Sequence, residues 1–183
     1  MRVAFFGTPE FAVPSLRALL EEGFDVQAVV SQPDRAQGRS RSQLVPPPVK
    51  VAALEEGIPV LQPERPVGDF AADLAALGAD LGVVVAYGHI LKPDILAIPR
   101  LGMINVHASL LPALRGAAPI QWAILNGNET TGVSIMQMEA GLDSGPVYHQ
   151  IETEVAADET GAELTERLAE LGAAALVEAL TML

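Results

Sequence analysis

The run Arg2-Val3-Ala4-Phe5-Phe6-Gly7-Thr8-Pro9-Glu10-Phe11-Ala12-Val13-Pro14-Ser15-Leu16-Arg17-Ala18-Leu19-Leu20-Glu21-Glu22-Gly23, continued by Phe24 to Val30, decides the fold. Arg2–Phe6 is a short apolar stretch stopped by Gly7-Thr8-Pro9, the pattern of a strand covered on both faces. Phe11, Leu16, Leu19 and Leu20 then share one side of a helix that runs to Glu22, with Gly23 just past its end. Phe24–Val30 is a second apolar stretch. Strand, helix and strand in this order form the repeating unit of a parallel sheet.

The alternation continues along the chain. Ser31–Pro47 is a long loop that holds Gly38 and runs into Pro46, Pro47 and Pro48. A loop of that length within a compact domain is uncommon and often functional. Pro48–Glu56 and Ala71–Leu77 read as helices, with Ile58–Leu61 and Leu81–Ala86 as strands. Gly102–His107 is another strand, Ser109–Ala118 is irregular, and Pro119–Leu125 is a helix opened by proline. Val133–Met138 and Val147–Glu154 bracket a turn and read as an antiparallel pair, and Thr160 caps a final helix. These elements predict one domain over residues 1–183, a doubly wound, mostly parallel Rossmann-like α/β sheet with an antiparallel pair near its C-terminal end. Ligands of such sheets sit at the carboxyl ends of the strands, here Gly7, Tyr87-Gly88 and Asn105-Val106-His107.

Composition narrows the chemistry. Half of the 183 residues are hydrophobic but only 4% are aromatic, so the core is aliphatic. The absence of cysteine removes disulfides, thiolate metal sites and cysteine nucleophiles together. Met1-Arg2-Val3 leads directly into a strand, and no apolar run approaches the roughly 20 residues that a bilayer demands. The expectation is a cytoplasmic protein. A net charge of −12 argues against nucleic acid as the ligand of the whole surface. The charge is uneven, however: residues 31–50 hold Arg35, Arg39, Arg41 and Lys50 against the single acid Asp34. That segment is either an ordinary solvated loop or a local binding element.

The first turn carries only one glycine of the G-x-G-x-x-G dinucleotide fingerprint, and Pro9-Glu10 would withhold a donor and repel a phosphate. No G-x-x-x-x-G-K-[ST] cradle and no G-x-S-x-G elbow occur. The chemistry concentrates instead in Asn105-Val106-His107. Alternation along a strand puts Asn105 and His107 on one side, where an amide can hold a developing oxyanion and an imidazole can accept a proton. Asp143, in the turn Gly141-Leu142-Asp143-Ser144-Gly145-Pro146, could bond the imidazole, fix its tautomer and steady the imidazolium. The same residues also fit a plainer account: a turn-closing asparagine, a satisfied core histidine and an ordinary turn aspartate. His89 and His149 show no ligand spacing with His107, so no metal site is expected.

Taken together the motifs resemble the formyltransferase family, and within it the branch that acts on aminoacylated initiator tRNA. The matching pieces are Phe6 to Phe11, Pro33-Asp34-Arg35 with Gly38-Arg39, and Val85-Ala86-Tyr87-Gly88 with Ile90-Leu91. The run Ile104 to Ile124, including Arg115-Gly116-Ala117-Ala118-Pro119-Ile120, and Met136-Gln137-Met138 through Gly145 complete the match. The resemblance implies 10-formyltetrahydrofolate as donor and the α-amine of methionine, esterified to initiator tRNA, as acceptor. It implies Asn105, His107 and Asp143 as the catalytic trio. The folate pocket would be lined by Tyr87, Gly88, Ile90, Leu91, Ser109, Leu110, Leu111 and Pro112, and tRNA would be met by Arg35, Arg39 and Arg41. It also implies a C-terminal β-barrel domain beyond residue 183, so we expect a truncated form of a longer protein, monomeric, with weak tRNA binding. Two other readings stand beside it. One is a formyltransferase for a ribonucleotide amine or a nucleotide-linked amino sugar; the other is a non-catalytic domain that binds folate or nucleic acid.

Overall fold

A computed structural model describes all residues, 1–183. The first half runs β1 (Arg2–Gly7), α1 (Val13–Glu21), β2 (Asp25–Val30), β3 (Arg35–Gln37), β4 (Gln43–Val45), α2 (Pro48–Glu55), β5 (Val60–Leu61) and α3 (Phe70–Ala76). The second runs β6 (Leu81–Val85), α4 (Pro93–Leu96), β7 (Met103–His107), α5 (Pro119–Leu125), β8 (Thr130–Gln137), β9 (Val147–Glu154) and α6 (Gly161–Thr181). Seven strands form one sheet in the order β5-β2-β1-β6-β7-β8-β9. The first five of these are mutually parallel, while β8 runs antiparallel to both β7 and β9. The α/β architecture and the antiparallel end are those the alternation predicts.

The sheet is covered on both faces. A cluster of 26 buried residues joins Val3, Phe5, Val83 and Val106 to Leu16 and Leu19 of α1, Val49 of α2 and Leu168 and Leu176 of α6. On the other face, a cluster of 11 joins Phe6, Val84 and Met103 to Phe70 and Leu74 of α3 and to Ile95 and Leu96 of α4. No helix is long and apolar enough to cross a membrane. α6 starts with a reciprocal cap: the Glu163 N–H donates to Thr160 Oγ1 at 3.2 Å, and the Thr160 N–H donates to Glu163 Oε2 at 2.8 Å. Its Gly172 lies so near the sheet that a Cβ there would come within 2.9 Å of Val106 Cγ1.

Four details differ from the sequence reading. The segment after Gly7 begins as a short 3-10 turn, Glu10–Ala12, because Pro14 suits only the start of the α-helix proper. β8 starts three residues earlier than Val133, since Thr130 and Thr131 pair with Glu154 and Thr153 of β9. Gly132 permits this, because any side chain there would meet the Ile151 carbonyl. α4 is four residues long, too short to give a periodic signal.

The fourth difference is the long loop, which folds into a separate antiparallel hairpin, with Arg35 opposite Val45 and Gln37 opposite Gln43. Its base is held by Asp34, whose carboxylate accepts from Gln62 Nε2 at 2.7 Å and from Lys50 Nζ at 2.9 and 3.1 Å. The Gln62 bond first, and Lys50 second, hold this carboxyl below its ordinary value of 3.8. A folded value below the unfolded one means the contribution to stability is complete above 3.8 and is lost as the pH falls through the lower folded value.

Two outcomes follow from this packing. Gly172→Val should destabilise the fold by about 1–3 kcal/mol through overpacking against Val106, read as a lower urea midpoint. The difference in urea midpoint between the parent and Asp34→Asn should stay constant from neutral pH down to about 3.8 and shrink below it. A difference that instead grew on acidification would remove Asp34 as the anchor of the hairpin base.

Candidate active site

After β1 the chain adds β2 and β5 on one side, and it then returns to add β6 and β7 on the other. The switch falls between β1 and β6, where the register pairs Gly7 with Val85. Open α/β sheets have their ligand crevice at such a point. A cavity of about 790 Å³ opens here, lined by residues that follow β1, β6 and β7 and by the turns before α5 and β9.

Asn105 and His107 reach this cavity for a reason visible along β7. Met103 lies in the smaller core, whereas Ile104 and Val106 belong to the larger one. Odd-numbered residues therefore share one face. Asn105 and His107 continue the Met103 row past the end of that core, into the cavity wall. Asn105 is half-buried, and His107 is only 6% exposed.

Both ring nitrogens of His107 have neighbours that restrict them. Nε2 lies 2.9 Å from the Leu114 carbonyl oxygen. A carbonyl only accepts, so Nε2 carries a hydrogen and donates. Nδ1 faces Asp143 Oδ2 at 3.7 Å. The neutral ring thus keeps its lone pair at Nδ1, and a proton gained there sits beside a carboxylate. Asp143 is itself fixed, since Oδ2 accepts from the Gly116 N–H at 2.7 Å. Asp143, Leu114, Ala86 and Ala118 all have left-handed backbone, with φ of 45, 54, 49 and 60°. Three of these four line the cavity, and the fourth supplies the carbonyl that holds His107.

The expected folate-pocket residues divide into two groups. Tyr87, Gly88, Ile90 and Leu91 line the cavity, with Ile90 86% exposed at its mouth. The Tyr87 ring packs edge-on against Phe6 and His89, and burial pushes its phenol up to about 12. Ser109, Leu110, Leu111 and Pro112 do not line this cavity. Their backbone is tied to the strands behind instead. Ser134 Oγ donates to the Ser109 carbonyl at 2.6 Å, the Leu111 N–H donates to Ser134 Oγ at 3.0 Å, and Gln150 Nε2 donates to the Leu111 carbonyl at 3.0 Å. This segment braces the turn that delivers Leu114.

The basic hairpin stands apart, and none of Arg35, Arg39 and Arg41 lines the cavity. Arg39 and Arg41 are exposed at its tip, while Arg35 donates to Gln32 Oε1. Sequence reasoning missed Met136, Met138 and Phe11 as lining residues, the Leu114 carbonyl and the Gly116 N–H. Apolar residues in a cavity wall look like core residues in a sequence, and backbone groups leave no residue-type signal.

A family profile described as formyl transferase matches residues 1–180. The chain is 54% identical to the methionyl-tRNA formyltransferase of Synechococcus sp. (strain JA-3-3Ab), a match covering 100% of this chain and 58% of that protein. It is 55% identical to the methionyl-tRNA formyltransferase of Halorhodospira halophila (strain DSM 244 / SL1), covering 96% of this chain and 56% of that one. The chain thus spans under two thirds of the length of these relatives. The phosphoribosylglycinamide formyltransferase from Streptococcus pneumoniae TIGR4 superposes with a TM-score of 0.81 at 24% identity, covering 99% of this chain and 97% of that one. A formyltetrahydrofolate deformylase from Pseudomonas syringae pv. tomato str. DC3000 superposes with a TM-score of 0.78 at 21% identity, covering 98% of this chain and 59% of that one. These two likenesses concern the fold alone. With the profile spanning almost every residue and relatives more than half identical across the same length, the chain belongs to the formyl transferase family.

Proposed function

We propose that this chain transfers a formyl group from 10-formyltetrahydrofolate to the α-amine of methionine esterified to initiator tRNA. The observation that carries the reading is the meeting of Asn105, His107 and Asp143 in one cavity, with His107 Nδ1 directed at Asp143. The names borne by the relatives support the choice of donor and acceptor. The cavity suits a flat heterocycle joined to an aromatic ring. Its volume is in the range of about 300–1,000 Å³ usual for such ligands, and Leu91, Met136, Met138 and Leu142 give it apolar walls.

The donor supplies a formyl carbon bound to nitrogen, and the rest is the work of the protein. The Asn105 amide donates to the formyl oxygen as negative charge develops there. His107 Nδ1 accepts the proton that the attacking amine must lose, and as the bond from the formyl carbon to the donor nitrogen breaks, the same proton passes to that departing nitrogen. The Leu114 carbonyl keeps Nε2 protonated before and after that transfer, so the proton is exchanged at one defined atom. Asp143 faces the resulting imidazolium and is kept in place by the Gly116 N–H. We place the acceptor along the part of the lining formed by Phe11, Ile120 and Thr165. Arg39 and Arg41 reach phosphates of the tRNA, and the chain works as a cytoplasmic monomer.

Formylation of methionyl-tRNA, measured against a ribonucleotide amine and a nucleotide-linked amino sugar, tests the assignment. Preference for either small amine would overturn it. His107→Ala and Asn105→Ala should each lower kcat by roughly two orders of magnitude with the circular dichroism spectrum unchanged. Asp143→Asn should displace the acid limb of the pH–rate profile, and an identical profile would leave Asp143 as a structural turn residue. Replacing Arg39 and Arg41 together by Ala should reduce the slope of log affinity for tRNA against log salt by about 1–2, with donor affinity unchanged.

A further inference from the structure

Gln32 is 8% exposed at the point where the hairpin leaves the main sheet, and the reaction described above uses none of its atoms. All of its polar groups are nevertheless engaged, with four different parts of the fold. Its N–H donates to Thr8 Oγ1 at 3.3 Å, in the turn after β1. Its carbonyl accepts from Gln62 Nε2 at 3.1 Å, just after β5, and from Ser31 Oγ at 3.1 Å. Its side-chain Nε2 donates to the Tyr87 carbonyl at 3.1 Å, and Oε1 accepts from Arg35 Nη2 at the start of the hairpin.

The Tyr87 carbonyl also accepts from Thr8 Oγ1 at 2.8 Å, so two donors fix the peptide that leads into Gly88. Gly88 has a φ of +89°, and a Cβ on it would collide with the Gln32 amide nitrogen. The two residues are therefore in direct contact, and Tyr87 and Gly88 both line the cavity. One buried side chain thus touches the cavity wall with its nitrogen and the basic hairpin with its oxygen. An unpaired buried amide or carbonyl is unfavourable, so each bond constrains the segment at its other end.

We propose that Gln32 is a positioning residue that ties the basic hairpin to the wall of the formyl-donor cavity, holding Tyr87-Gly88 through its amide and seating Arg35 through its carbonyl oxygen. The proposal rests on the reading of this cavity as the donor site. Its two halves can be separated chemically. Gln32→Glu keeps an oxygen for Arg35 but sets a second oxygen against the Tyr87 carbonyl. Gln32→Leu keeps the volume and removes both bonds. Arg35→Ala removes only the hairpin half.

The test combines hydrogen exchange by mass spectrometry with calorimetric binding of a stable folate analogue, 10-formyl-5,8-dideazafolate, on the 183-residue chain. Gln32→Leu should speed exchange both in 87–91 and in 35–45, Gln32→Glu only in the first segment, and Arg35→Ala only in the second. Both Gln32 variants should weaken analogue binding by about tenfold, and Arg35→Ala should leave it unchanged. If Gln32→Leu does not fold, Gln32→Glu decides the cavity half and Arg35→Ala the hairpin half. Parent-like exchange in both segments, or parent-like analogue affinity in both Gln32 variants, overturns the proposal. A parent chain that fails to bind the analogue overturns the donor-site reading instead, and with it the donor half of the tie, while the exchange pattern still decides whether the tie exists.

Discussion

Between β1 and β6 the chain reverses the side on which it adds strands, and the site depends on the gap this leaves. Crossovers on either side of the switch lead away from each other, so no connection closes over the strand ends between them. Gly7 keeps the two central strands close there, since a Cβ on it would press on the Ala12 methyl and the Val85 carbonyl. The smaller core stops two residues short of the end of the row: Met103 belongs to it, while Asn105 and His107 line the cavity. Their exposure to the cavity is thus a property of the topology. Between them, Val106 packs on the opposite face against Gly172 of α6.

Much of this was legible because the signals were local. Apolar runs separated by helix-forming stretches specified the α/β alternation, and Asn105-Val106-His107 announced two polar groups on one face of a strand end. Asp143 was legible as a turn residue, though its distance from His107 depends on the turn before α5, which has no periodic pattern. The hairpin was hidden because β3 and β4 have three residues each and are largely exposed, so they show no alternation. The hydrogen bonds made by the segment Ser109–Pro112 were hidden for a different reason. Its polar and apolar groups serve β8 and β9, and nothing in its composition distinguishes a brace from a lining.

The backbone around the cavity is held away from its easiest conformations. Ala86, Leu114, Ala118 and Asp143 are all left-handed, which costs of order 1–3 kcal/mol at each such residue. Each kink has a visible use. Ala86 turns the chain out of β6 so that Tyr87 and Gly88 run along the cavity wall. Leu114 aims its carbonyl at His107, Ala118 starts α5 beneath the opening, and Asp143 brings its carboxylate back towards the ring. The bonds from Gly116 to Asp143 and from His107 to Leu114 offset part of this strain, so the same contacts that orient the ring also keep the loops in register.

The hairpin of β3 and β4 shares no ladder with the seven-stranded sheet. A residue inserted into a strand of the main sheet would reverse which side chains face the core, whereas one inserted between Gln37 and Gln43 displaces no partner beyond the hairpin itself. The tip can therefore lengthen, shorten or change its charge over evolutionary time while the chemistry beneath it stays fixed. For protein engineering, the same separation makes residues 38–42 the natural place to graft a new recognition element without disturbing the rest of the fold.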